Sequence, residues 1–143
     1  MANYVLVSNE QLKTWHKCLK ACQEHLAEGK SVVIDNTNSK AQVRAVYISA
    51  AKALEVPVRC FYFSTPKETC IHNNLMRKVN EHRKHLSKAV PAIAIHTFFK
   101  NLQVPTVSEG FESVIKIDFL PDNFANAEDK KCYEAATATT AGK

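Results

Sequence analysis

The chain has 143 residues, 45% of them apolar, a formal net charge of +5 and a pI near 9.0. That is one domain of ordinary size with enough apolar residues for a core, and its basic excess suits an acidic partner such as a nucleotide or nucleic acid without requiring one. No apolar run approaches the ~20 residues that span a bilayer, no targeting segment is evident, and five scattered cysteines point to reduced thiols in the nucleus or cytoplasm.

Tyr4-Val5-Leu6-Val7 reads as a short strand, followed by Ser8 as a helix N-cap with Gln11 completing a capping box. The helix is expected to run to about Glu28, with Leu12, Trp15, Leu19, Cys22 and Leu26 on its apolar face. Val32-Val33-Ile34 form the next strand, which ends abruptly in Asp35-Asn36-Thr37-Asn38. An apolar β-branched run closing on an acid and small polar residues is how a buried parallel strand reads where it opens into a site. In open α/β sheets, ligands bind outside the carboxyl ends of the strands.

Asn38 or Ser39 is expected to cap a second helix ending near Leu54, and residues 56–63 to form a third strand. Thr65-Pro66-Lys67-Glu68 is a strong helix start. That helix enters a basic stretch, residues 76–88, with Arg77, Lys78, Arg83, Lys84 and Lys88 set against Glu81 and accompanied by His82 and His85. Such a run can track a phosphate backbone, and it reads equally well as a solvated lid or loop. A further helix spans about Pro91 to Leu102, Pro105 and Gly110 mark turns, and Val114 to Phe119 form a last strand. From Pro121 the pattern fails, so residues 121–143 are expected to be a disordered tail after a domain over 1–120. Cys18, Cys22 and His25 share one helix face and cannot all converge on a metal, and His82-x-x-His85 has no partner pair, so no metal site is expected.

A phosphate-binding loop reads G-x-x-x-x-G-K-[ST], because glycines let backbone N–H groups close on the phosphates. The chain has three glycines, Gly29, Gly110 and Gly142. Gly29-Lys30-Ser31 matches the end of the motif, but Glu24 stands where the first glycine belongs, and the triplet precedes a strand instead of following one. Gly29 is better read as the stop of a helix.

Three segments in register carry a family resemblance: Val32 to Asn38, His72-Asn73-Asn74 with Arg77, and Pro105-Thr106 with Glu109-Gly110-Phe111. Between Tyr4 and Phe119 the chain resembles the 5′-hydroxyl kinase domain of the metazoan polynucleotide kinase 3′-phosphatases. The resemblance implies a P-loop NTPase-like, three-layer α/β/α fold with a mainly parallel sheet, here missing the first strand and the Walker A loop. It implies ATP and Mg²⁺ as cofactors, DNA or RNA 5′ ends as substrate, strand-break repair as the process and repair proteins as partners, with no membrane association.

The same resemblance implies site residues. The family places its catalytic base, an aspartate, in a Val-Asn-Arg-Asp segment that is Val7-Ser8-Asn9-Glu10 here, so Glu10 holds the base position and Asn9 replaces a DNA-contacting arginine. The extra methylene of Glu10 displaces its carboxylate, and misplacement of about 1 Å can cost ~100-fold in rate. Asp35 matches the acid that orients the metal and its water, Arg44 a residue facing DNA, and Arg77 a lid arginine at the nucleotide phosphates. Arg83 and Lys84 are candidate nucleic-acid contacts from the basic stretch. Each has a plainer reading, since Asp35 can cap a turn, Glu10 and Arg77 suit the helix dipole, and Arg44 can be an ordinary helix residue.

Two functions therefore stand: a polynucleotide 5′-hydroxyl kinase-family protein inactive alone for want of Walker A, or a catalytically dead module that binds nucleic acid or protein. With the family's central strand absent, the strands around Ile34 and Phe61 are expected to lie side by side. Direct hydrogen bonding between them would mark an adapted module, and an open slot would mark a fragment.

Overall fold

A computed structural model describes residues 3–79, 88–122, 124 and 126–140. The elements are β1 (Tyr4–Val7), α1 (Asn9–Leu12), α2 (Trp15–Ala27), β2 (Ser31–Ile34), α3 (Ala41–Ala53), β3 (Arg59–Phe63), α4 (Lys67–Val79), α5 (Ala92–Asn101), β4 (Ser113–Ile117) and α6 (Ala127–Thr140), with a 3-10 turn at Val107–Glu109. The mainly parallel α/β expectation is met. No helix among the described residues is long and apolar enough to cross a membrane.

The chain divides into two compact units, Met1–Tyr62 with Asn101–Ile115 and Phe63–Lys100 with Lys116–Lys143. In the first unit β1 and β2 pair in parallel, Tyr4 opposite Ser31 and Val7 opposite Ile34. Val7, Cys18, Cys22 and Tyr47 form the buried centre, with Leu12, Leu19, Leu26, Val32, Ile34 and Val46 packed on it. Leu12, Leu19, Cys22 and Leu26 lie inward as their period predicts, Cys18 joins them, and Trp15 does not. The expected single helix from Ser8 breaks where Lys13 takes a left-handed conformation (φ 71°) and Thr14 caps a fresh start, accepting from the Lys17 N–H at 3.3 Å. Trp15, now the first residue of α2, is 48% exposed although it shares its helix face with Leu19 and Cys22.

β3 pairs with β4. The Glu112 N–H donates to the Val58 carbonyl (2.8 Å) and the Ser64 N–H to the Ile117 carbonyl (3.0 Å). Both chains advance together between these two bonds, so the pair is parallel. The expected pairing of the strands around Ile34 and Phe61 is not found: among the described residues β2 bonds only to β1 and β3 only to β4. α2 packs against both β1 and β2, and α3 packs against α2. The alternate residues Tyr4 and Leu6 of β1, Val33 of β2, Phe61 of β3 and Ile115 of β4 are exposed by 40–53%. Strands of such composition ordinarily bury both faces in a parallel sheet.

The first helix turn of α3 is capped from a distance. Neither Asn38 nor Ser39 is its N-cap; Lys40 holds that position without a side-chain bond, and the Ala41 N–H donates to Gln103 Oε1 at 2.9 Å. The Gln103 N–H in turn donates to the Ser39 carbonyl at 2.7 Å. Gly110 (φ 117°) sits against α3 so closely that an added Cβ would lie 2.9 Å from Ile48 Cγ2. A side chain there meets both a forbidden backbone conformation and a packed methyl.

The second unit is organised otherwise. α6 occupies 127–140, where disorder was expected, and packs on α4. Tyr133 stands edge-on to His72 with ring centroids 4.3 Å apart, and its hydroxyl donates to Asn73 Oδ1 at 2.9 Å. The aromatic contact of Tyr133 and the helix-forming alanines around it outweigh the low-complexity look of the segment.

Candidate functional site at the strand ends

The parallel register of β1 and β2 delivers two loops side by side. Past Val7 come Ser8, Asn9 and Glu10, and past Ile34 come Asp35 and Asn36. The Asp35 N–H donates to the Val7 carbonyl at 2.9 Å, which extends the ladder by one bond. The Asn9 N–H donates to Asn36 Oδ1 at 2.6 Å, so the Asn36 side chain supplies a cap to the first turn of α1 from the neighbouring strand end. Asn9 Oδ1 accepts from the Cys18 thiol at 3.1 Å. Asn36 also hydrogen-bonds the Tyr47 hydroxyl, and burial beside the two cysteines raises the Tyr47 pKa despite that bond. The chain Tyr47–Asn36–Asn9–Cys18 fixes both loops from beneath, while the carboxylates of Glu10 and Asp35 remain exposed above it. The Lys13 ammonium donates to the Glu10 carbonyl at 2.7 Å.

Arg44 is placed otherwise than a DNA-facing cation. Its side chain is 4% exposed; Nε and Nη2 donate to the two Glu109 oxygens at 2.8 and 3.0 Å, and Nη1 donates to the Asn38 carbonyl at 2.9 Å. Glu109 is spaced to receive it by the 3-10 turn, whose Thr106 N–H donates to Glu109 Oε2 at 2.8 Å. The Arg44 bonds and the Thr106 N–H hold the Glu109 carboxyl below the usual range. The Pro105-Thr106 and Glu109-Gly110-Phe111 motif thus anchors α3, and Arg44 braces the loop that follows Asp35. Sequence spacing shows neither partner, because 65 residues separate them.

The His72-Asn73-Asn74 motif is likewise architectural in the second unit. Asn74 is buried and brackets one peptide: its amide nitrogen donates to the Val90 carbonyl and its Oδ1 accepts the Val90 N–H, each at 2.8 Å. This closes the chain across the basic stretch. Arg77 is exposed in the last turn of α4, and Arg83 and Lys84 lie outside the described residues. Burial raises the Cys70 thiol, offset in part by the Arg77 charge.

Among the described residues no three acids, histidines or cysteines converge to hold a metal. The exposed carboxylate of Asp35, directly after β2, is a donor that suits a small hard cation keeping most of its water, as Mg²⁺ does. No glycine-rich cradle for a polyphosphate occurs in the chain.

Sequence comparison places these residues in context. Residues 5–105 match the AAA domain family. The bifunctional polynucleotide phosphatase/kinase of Schizosaccharomyces pombe is 40% identical over 116 residues, covering 81% of this chain and 28% of that protein. Its counterpart from Acanthamoeba polyphaga mimivirus is 34% identical over 123 residues, covering 83% and 28%. An Arabidopsis thaliana protein named transcription factor bHLH140 is 28% identical over 110 residues, covering 77% and 12%. The chain therefore spans little more than a quarter of the first two relatives.

Proposed function

Because this chain belongs to the AAA domain family, with polynucleotide phosphatase/kinases among its relatives, we propose that it carries the substrate-side part of a polynucleotide 5′-hydroxyl kinase domain. The reaction is transfer of the γ-phosphate of ATP to the 5′-hydroxyl of DNA or RNA, in strand-break repair. The observation that carries this reading is that Asp35, directly after β2, and Glu10, in the helix turn that follows β1, are both exposed on two loops tied together by the Asn9–Asn36 hydrogen bond. Glu10 would accept the proton of the attacking hydroxyl, and Asp35 would help hold Mg²⁺, which would supply charge stabilisation for the transferring phosphoryl group. Arg77 meets nucleotide phosphates, and Arg83 and Lys84 meet the polynucleotide backbone. Arg44 contributes by bracing the Asp35 loop through Asn38 and Glu109.

The residues present fit Mg²⁺ and do not fit the polyphosphate of ATP. The backbone cradle, the phosphate lysine and the metal-binding hydroxyl of a Walker loop are absent from these 143 residues. The chain by itself is therefore proposed to transfer no phosphate. The sheet in two parallel pieces, each with exposed apolar residues, supports the reading that a strand and helix bearing such a loop complete it. The second reading, a catalytically dead binding module, draws support from Asn9 and Glu10 standing where the family writes Arg-Asp.

The test is label transfer from γ-labelled ATP with Mg²⁺ to a 5′-hydroxyl oligonucleotide. The chain alone is expected to match the no-protein control, and a supplied segment with a Walker loop is expected to restore transfer that Asp35→Ala abolishes. Transfer by the chain alone, lost in Asp35→Ala, would overturn its inactivity. Restored transfer that survives Asp35→Ala would overturn the assigned site.

A further inference from the structure

We infer that the exposed Trp15, stacked on His16, forms a platform for an unpaired nucleobase of a polynucleotide strand, with Lys13, Lys17 and Lys20 on exposed positions of the same short stretch. The inference rests on the polynucleotide reading above and adds to it a place where a base is gripped. Trp15 is the chain's sole tryptophan and stands at the first position of α2, 48% exposed, although its helical spacing marks it as a core residue. It is absent from the side chains packed on the Val7–Cys18–Cys22–Tyr47 centre. Its ring instead lies over the His16 imidazole, with centroids 3.7 Å apart and planes inclined by 30°. The left-handed Lys13 and the Thr14 cap end α1 and begin α2 immediately before it.

The charge around it suits a polyanion. Lys13, Lys17 and Lys20 are all exposed within five positions of Trp15, opposed by Glu10 and by Glu24, which lies 3.9 Å from Lys20. A held aromatic face with cations beside it is what single-strand binding uses: the base stacks and the backbone phosphates meet the lysines. Every base has a π face, so such a platform grips without reading sequence. The Lys13 ammonium bonds the Glu10 carbonyl, which ties the platform to the short helix that carries the candidate base.

The sole tryptophan makes the test specific, because intrinsic fluorescence of the full chain reports on Trp15 alone. Titration with a 5′-hydroxyl single-stranded oligothymidine is expected to quench it saturably. An abasic strand of equal length and charge is expected to bind several-fold more weakly and to leave the emission unquenched. By anisotropy of labelled strands, Trp15→Leu is expected to weaken oligothymidine binding about tenfold, whereas Trp15→Phe keeps most of it. Circular dichroism of both variants checks the fold. Equal binding of the abasic strand, or full affinity in Trp15→Leu, overturns the platform and leaves the kinase reading intact. Binding of neither strand at low salt counts against polynucleotide recognition as a whole. Saturable quenching by an apolar or acidic peptide, with none by DNA, assigns the platform to a protein partner and also overturns the proposal.

Discussion

The two units of this chain are held together by different physics. In the first lie all the buried apolar side chains among the described residues: Val7, Cys18, Cys22, Tyr47, Ile48, Ala50, Ala51 and Phe111. In the second, the buried described side chains are polar, His72 and Asn74, and large apolar ones such as Phe63, Ile93 and Leu120 are 68–79% exposed. One unit is stabilised by area removed from water, at about 25 cal/mol per Å². The other relies on Asn74 bracketing Val90, Tyr133 bonding Asn73, and Ser64 Oγ 2.7 Å from Asp118. A net hydrogen bond contributes only about 0.5–1.5 kcal/mol, so the second unit is expected to open first. The lesson is that motif residues can be structural in both units, by burial of an ion pair in one and by side-chain clamps in the other.

The largest expected effect breaks the first unit. Glu109→Ala strands the Arg44 guanidinium, buried and without its carboxylate, and a lone buried charge of this kind costs about 3–5 kcal/mol. Urea unfolding followed by Trp15 fluorescence should show the loss. An unchanged midpoint would mean that the pair adds nothing to the apolar core.

The second unit should yield to a smaller change. Asn74→Ala removes both bonds to the Val90 peptide and leaves its groups to find water, at about 1–3 kcal/mol. Hydrogen exchange should speed at the Val90 amide while amides of β1 and β2 keep their protection. Equal loss in both units would show that they unfold as one, and the contrast drawn above would fail.

The mildest probe is acid. Arg44 holds the Glu109 carboxyl below the usual carboxylate range, so its contribution is fully present above the unfolded value and fades as pH falls through the folded one. Stability of the first unit should therefore decline on acidification below about pH 4.5. In Glu109→Gln that decline should flatten, which melting curves over a pH series can check.

What the sequence determined by itself was local or carried by pattern. Apolar runs and caps located the four strands and most helices to within a few residues, and Val32 to Asn38 marked a strand ending in a polar loop. Period and capping depend on neighbours three or four positions away, and these are legible in the chain. The family could be named from three short segments for the same reason, since each is contiguous. Tertiary structure alone decided the rest. Lys13 adopts a left-handed turn that divides the expected helix, and Trp15 at the start of α2 is half exposed although the periodicity of α2 assigns it inward. Arg44 reads as an ordinary helix cation until Glu109, 65 residues away, closes on it. Asn73 and Asn74 read only as part of a family motif until Tyr133 and Val90 take up their side chains. The alanine-rich end reads as disordered until Tyr133 docks it on α4. In each case the deciding energy is a contact between residues far apart in the chain, and composition and spacing hold no record of such a partner.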